Sequence, residues 1–562
     1  MGIRRFFIGW DQPIVELANE FLLEELDEEL ISKTLVVVPS KQAARKLKNR
    51  YRENSKFDNY PIFGTPETAL NLFEQDSERP ATKTEKSLAW ALTLKNIKLT
   101  QLRNIFPISP PDRSMNWALR TSNTFISLKN SLNEGGLNIS DVIENEGHDF
   151  VDLSRWKELE HLESTVESSL KENGLSHLSK SFLNSPSSVG DIEQIILIGL
   201  PDPPKILTDA LQSISESHKI SIVIYAPDSE QSSFSEWGRP MTENWSNHKI
   251  NIPNAESSIR HVSGPDEQSR EVGSIISEHS DPHGMVGIIN NDTELIPSLK
   301  SELKKHNLNA YNPSGELCSN QEIYATLSLF RDLMSSGSFA SAIEILKHPE
   351  IINHIVINNE DILIETTDQI DTVNSNDDPE LAAANILVSL DRINDKNIPT
   401  SLDTALEFSR KNERLKLTNS ALKQLKEWLD QLQDNLIENL PGILQSIYSG
   451  REFDSEEDKG FSHAAECLNS ILDEIRSSPL QAMDGSEQLN FILSVLKNEG
   501  IPEKREPDSL DIQGWLEVLW EDSPHLIITG MNEGSVPDRI AGDIFLPDSL
   551  RSKMGLRNNE SI

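Results

Sequence analysis

The run Leu35-Val36-Val37-Val38-Pro39-Ser40-Lys41-Gln42-Ala43-Ala44-Arg45-Lys46-Leu47 decides how the rest of the chain is read. Its apolar residues follow one another without alternation, stop at a proline and lead into a stretch of helical pattern. That is the pattern of a strand buried on both faces, as strands of parallel sheets are. The same grammar recurs at Phe6-Phe7-Ile8, Ile195 to Ile198, Ile220 to Tyr225, Val286 to Ile289 and Leu526-Ile527-Ile528. Each run ends in a turn signal: Gly9, Gly199, Ala226-Pro227, Asn290-Asn291 and Gly530. Doubly wound α/β domains read this way, and their ligand sites lie at the carboxyl ends of such strands.

Long helical patterns separate the runs. Lys86 to Leu99, Trp117 to Leu132 and Trp156 to Leu170 lie between the second and third, and a block from Ile323 to about Glu499 lies before the last. Two α/β units, each interrupted by a helical insertion, fit this order. The Ser-rich turn Ser185 to Gly190 and the polar stretch Asn244 to Ser258 read as linkers, and Asp454 to Asp458 as a solvated acidic loop. No fixed-period repeat points to a solenoid or propeller.

With 562 residues the chain is long enough for several cores. Lys and Arg number 52 against 90 Asp and Glu, so the net charge is −38, which excludes a uniformly basic nucleic-acid coat and simple attraction to anionic membranes. Any polyanion must meet a local basic patch. Cys318 and Cys467 are the only cysteines, far apart in sequence and too few for a zinc site, a cluster or a disulfide framework, and they read as reduced thiols of a cytoplasmic protein. The twin arginines before Phe6 are followed at once by Asp11 and Glu16, which does not make an export signal, and no apolar run approaches the roughly 20 residues of a membrane span.

The strand-end loops hold few complete chemical signatures. Counting from Gly9, a phosphate-binding loop would need Gly, Lys and Ser or Thr where Ile14, Val15 and Glu16 stand, so the cation and the magnesium hydroxyl are missing. The densest basic cluster runs from Lys41 to Arg52. Within it Lys41, Arg45, Lys48 and Arg52 fall at helical spacing and would line one face beside a strand end, holding phosphates; the same spacing also fits a solvated helix face. Asp202 stands in the Pro-rich turn after Ile198 and reads either as a cleft residue or as a turn residue. Glu302-Leu303-Lys304 and Glu457-Asp458-Lys459 satisfy the letters of a nuclease E-x-K, but on a helical pattern and in an acidic loop. Histidines such as His161, His348 and His525 lack metal spacing, and Trp515 and Trp520 read as packing residues of a helix before the last strand.

The closing segment carries a resemblance. Gly514-Trp515-Leu516-Glu517, then Gly530-Met531-Asn532-Glu533-Gly534-Ser535-Val536-Pro537, then Leu546-Pro547-Asp548-Ser549-Leu550-Arg551 with Gly555-Leu556 resembles the second motor-like domain of the AddB family. That family comprises B subunits of bacterial AddAB-type helicase-nucleases and their PD-(D/E)XK relatives. Leu35 to Leu47, Ile195 to Pro204, Glu267 to Ile276, Val286 to Tyr311 and Leu346 to Pro349 resemble further pieces in the same order. The resemblance implies two RecA-like (UvrD-type helicase-like) parallel-sheet domains, each with a mainly helical insertion. The expected bounds are 1–75 with 190–255 for the first domain, 76–189 for its insertion, 256–320 with 505–562 for a second domain incomplete at its carboxyl end, and 321–504 for its insertion.

For function, the resemblance implies a DNA-guiding subunit in double-strand-break end processing and recombinational repair, without a complete ATPase or nuclease site. Its partners would be DNA ends, single-stranded DNA and an AddA-like motor subunit. Lys41, Arg45, Lys48 and Arg52 would touch DNA, and Asp202, Asn532 and Glu533 would lie on loops of one cleft. No cofactor is expected in these residues; Mg²⁺, and in some members an iron-sulfur cluster, belong to a carboxyl-terminal nuclease domain expected beyond Ile562. The competing expectation is an acidic protein-interaction scaffold on a degenerate helicase fold that binds no DNA.

Overall fold

A computed structural model describes residues 2–26, 28–73, 79–110, 112–148, 150–176, 189–246, 254–358, 379–454, 458–478, 483–532, 536 and 543–558. The chain is α/β and is built around two parallel sheets. The first contains β1 (Ile3–Phe7), β2 (Thr34–Val37), β3 (Ile62–Gly64), β4 (Gln194–Ile198) and β5 (Lys219–Ile224), in the order β1-β5-β4-β2-β3. Leu35 pairs with Ile195 and Ile3 with Ile220, and every pairing in this sheet is parallel.

Every residue of β2 and β4 is buried, which is why these strands read as unbroken apolar runs. Successive side chains go to opposite faces. Val36, Val38, Ile196 and Ile198 meet Ile14, Val15, Ala18 and Leu22 of α1 (Ile14–Glu25) and Ala43, Ala44 and Leu47 of α2 (Lys41–Asn54). Leu35, Val37, Ile195 and Leu197 meet Leu207, Ala210 and Leu211 of the helix Lys205–Ile214 on the other side. Each buried Val, Leu or Ile among them contributes roughly 1.5–3 kcal/mol.

The second sheet contains β6 (Val286–Asn290), β7 (Asn309–Tyr311), β8 (Ser509–Gln513) and β9 (His525–Thr529), in the order β9-β6-β8-β7, again all parallel. Helices Gly264–Ser277 and Ile296–Lys305 cover one face through Val272, Ile276, Leu299 and Leu303. Glu302 and Lys304 belong to the second of these helices, so the E-x-K letters there sit on no strand.

The chain leaves the first sheet after β3 for helices Lys83–Asn96, Met115–Glu134 and Leu153–Glu172, and the second after β7 for the helices from Glu322–Ser336 to Gly485–Leu496. These two helical runs bury one continuous core. Leu88, Trp90, Phe125 and Trp156 share it with Phe330, Trp428, Leu489 and Phe491, and the closing residues Phe545, Leu550 and Leu556 join it. Lys95 pairs with Glu487 across the boundary, and Thr82 Oγ1 donates to Glu474 Oε2 at 3.2 Å. Among the described residues no helix is long and apolar enough to cross a membrane.

Candidate nucleic-acid interface

Helix α2 starts where Ser40 caps it, its hydroxyl accepting from the Ala43 N–H at 3.2 Å. Ala43, Ala44, Leu47 and Tyr51 face the first sheet, so the basic residues are pushed to the outer sides of the helix. They divide into two groups. Arg45 reaches the second sheet, where its guanidinium stands 3.6 Å from Asp511 and 5.7 Å from the centre of the Tyr311 ring. Lys46 donates to the carbonyl of Trp520 at 3.2 Å and pairs with Glu521 at 2.9 Å, and Arg50 pairs with Glu16. Lys41 is exposed, Lys48 is half-buried, and neither has an ion pair among the described residues. Arg52 is exposed, lies 4.3 Å over the Tyr60 ring and donates to its hydroxyl at 2.7 Å.

The expected four-residue face is therefore split. Lys41, Lys48 and Arg52 remain available to an anion, whereas Arg45 is already bound to a carboxylate that Arg505 also holds at 2.7 Å. Helical spacing puts all four on one helix; it cannot show that Asp511, from a strand 466 positions later, covers one of them.

Between α2 and the second sheet lies the turn Trp515–Trp520, a 3₁₀ stretch in place of the expected helix. Trp515 is exposed, and Trp520 is fully buried among the first sheet's own apolar residues. In the first sheet the order of strands reverses between β2 and β4, which is where ligands of open α/β sheets bind. Trp520 stands at that place, against Ile14 and the positive-φ Gly199 at the end of β4, with its carbonyl on Lys46. Its indole N–H is buried with no hydrogen-bond partner among the described residues.

Glu521 follows directly, beside Gly287 of β6. Burial alone would push its carboxyl upward. The charge of Lys46 and hydrogen bonds from Ser523 outweigh that, and the group sits below the usual carboxylate range. The positions counted for a phosphate loop are occupied structurally: Ile14 and Val15 are core residues of α1, and Glu16 is held by Arg50.

The other candidate residues lie elsewhere. Asp202 is held by two arginines, Arg239 at 3.2 Å and Arg557 at 3.0 Å. Asn532 is exposed after β9 and its N–H donates to the Gly530 carbonyl at 2.8 Å; Gly530 packs on Asp292, and its own N–H donates to the Gln268 side chain. Glu533 lies outside the described residues, as do Gly534, Ser535 and Pro537. No hydrogen bond or ion pair joins the Gly199–Asp202 loop to Gly530–Asn532 among the described residues. Beside the first of these loops is an apolar recess of about 150 Å³, formed by Leu200, Ile224, Tyr225, Phe234 and Leu519 among others. No family model matches this chain, and no curated protein matches it.

Proposed function

We propose that this chain is a helicase-like, non-hydrolysing subunit that guides DNA strands during the processing of double-strand breaks, as the resemblance to AddB implies. Energy would come from an AddA-like motor partner and cutting from a nuclease domain outside these residues. The observation that supports a non-motor role is Trp520: the chain's own indole packs against Gly199 at the carboxyl end of β4, beside the place where an open α/β sheet holds its ligand. Lys41, Lys48 and Arg52, which have no carboxylate partner among the described residues, are the groups left to meet backbone phosphates.

The test is binding of the chain to a duplex with a single-stranded tail across a salt series. Log affinity should fall with log salt, with a slope of about 0.7 for each phosphate neutralised on a single strand. Lys41→Glu with Lys48→Glu should reduce that slope. No binding at the lowest salt would reject the reading.

A second reading has its own support. Arg45, Lys46 and Arg50 are neutralised by Asp511, Glu521 and Glu16, so half of the basic cluster serves to join the two sheets and to pin α1. On that reading the cluster is structural and the acidic surface meets proteins.

A further inference from the structure

A second basic tract runs from Arg410 to Lys426. It holds Arg410, Lys411, Arg414, Lys416, Lys423 and Lys426 against the single acid Glu413, in a chain whose net charge is −38. The tract is bent. Helix Leu402–Arg410 ends, a 3₁₀ turn spans Glu413–Leu415, and helix Lys416–Asp434 begins. The corner is fixed from both sides: Asn419 Nδ2 donates to Ser409 Oγ at 2.8 Å, and the Asn412 side chain accepts the Arg414 N–H at 3.2 Å. Leu402, Ala405, Ala421, Leu422 and Leu425 anchor the two helices in the core.

Lys423 is used on Glu427 and Lys426 on Asp403 and Asp430. Arg410, Lys411 and Arg414 are exposed and have no ion pair or side-chain hydrogen bond among the described residues. Elsewhere in the helical body Arg451 is neutralised by Glu322 and Asp458, and Arg476 by Glu438 and Asp473. The three cations Arg410, Lys411 and Arg414 lie within five positions, and the neighbouring exposed acids Glu407 and Glu413 leave the corner net positive.

We propose that the corner Arg410, Lys411 and Arg414 contacts the phosphodiester backbone of a nucleic-acid strand. This rests on the DNA-guiding reading and extends the strand's path onto the helical body. Two guanidinium forks and an ammonium suit phosphate oxygens spaced along a chain. A protein partner would look for an apolar anchor, and no large apolar side chain between Leu402 and Lys426 is exposed.

The experiment measures binding of the full chain to a single-strand-tailed duplex over a salt series, with R410E/K411E/R414E, the milder R410Q/K411Q/R414Q, and K41E/K48E in parallel. Circular dichroism confirms that each variant folds. Both corner variants should lower the salt slope, by about two for three single-strand phosphates, and the charge-reversed one should weaken binding at least tenfold. Unchanged slopes in both corner variants, with wild-type binding intact, overturn the corner while leaving the DNA-guiding reading in place. Loss only in the corner variants upholds it and removes the α2 contacts instead. Displacement of the DNA by poly-glutamate at equal charge concentration overturns it in favour of an acidic protein partner. A wild-type chain that does not bind at the lowest salt overturns both.

Discussion

The indole of Trp520 stands so close to Gly199 that a Cβ added at the glycine would lie 3.2 Å from its Cζ2 atom, with Ile14 closer still. Gly199 also has φ +54°, a backbone region that side chains disfavour. A residue of the segment leading to β9 is thus built into the core of the first sheet, and the two sheets share that contact. Gly199→Ala should destabilise the chain by about 2–4 kcal/mol from clash and backbone strain together. Trp520→Ala should cost about 3–5 kcal/mol by leaving a cavity. Denaturant unfolding measures both, and losses under about 1 kcal/mol would show that the ring does not hold the junction.

Lys46 and Glu521 form the polar half of the same junction. Lys46→Ala leaves a buried carboxylate without its cation and should cost about 3–5 kcal/mol near neutral pH. The sign of the pH dependence should change as well. In the native chain Glu521 is held below the unfolded value, so its contribution is present above about pH 4.3 and is lost as pH falls through the folded pKa. Without Lys46, burial dominates and raises the group, so the variant gains relative stability on acidification. Thermal unfolding of both proteins between about pH 3 and 8 reads this difference.

His348, in the segment Leu346 to Pro349, is a half-buried packing residue. Its Nε2 lies 3.2 Å from Thr326 Oγ1, and Thr326 in turn meets the Tyr448 hydroxyl at 2.7 Å. Burial pushes the imidazole below its ordinary value, and Glu322 and Glu350 restore only part of that. The unfolded chain therefore binds the proton more readily, and stability should fall as pH drops below about 6.5. His348→Gln should flatten this slope in a stability profile taken between pH 5 and 7.5; an unchanged slope would remove the histidine from the account.

Cys318 and Cys467, 149 positions apart, are brought together in the helical core. Burial, then the neighbouring Cys467, push the Cys318 thiol up to about 12. Iodoacetamide at about pH 8 should leave Cys318 unlabelled in the native chain and label it on unfolding. Rapid native labelling would contradict the burial.

Legibility followed the kind of burial. Strands buried on both faces announced themselves: β2, β4, β5 and β6 coincide with predominantly apolar runs, and β9, with Ile528 exposed, carries a shorter one. β8 did not, because Ser509-Leu510-Asp511-Ile512-Gln513 alternates, sending Leu510 and Ile512 to the core and Asp511 to Arg45 and Arg505. β3 and β7, three residues each, were too short to show any period. Helices 83–96, 115–134 and 153–172 were visible from their spacing, but that they share a core with helices some 300 positions later is a long-range fact. At the candidate site, the basic character of α2 was legible and its division was not. Arg45 and Lys46 are spent on Asp511, Trp520 and Glu521, all brought in from the far end of the chain.

Photo-crosslinking shows whether α2 guides a strand with the bases the junction leaves unused. A tailed duplex carrying bromodeoxyuridine along its single strand would be irradiated with the full chain, and the crosslinked peptides mapped. Adducts should fall within the segment Lys41 to Tyr60 and be lost in Lys41→Glu with Lys48→Glu. A bound strand that crosslinks only outside that segment, with the double variant unchanged, would contradict the claim.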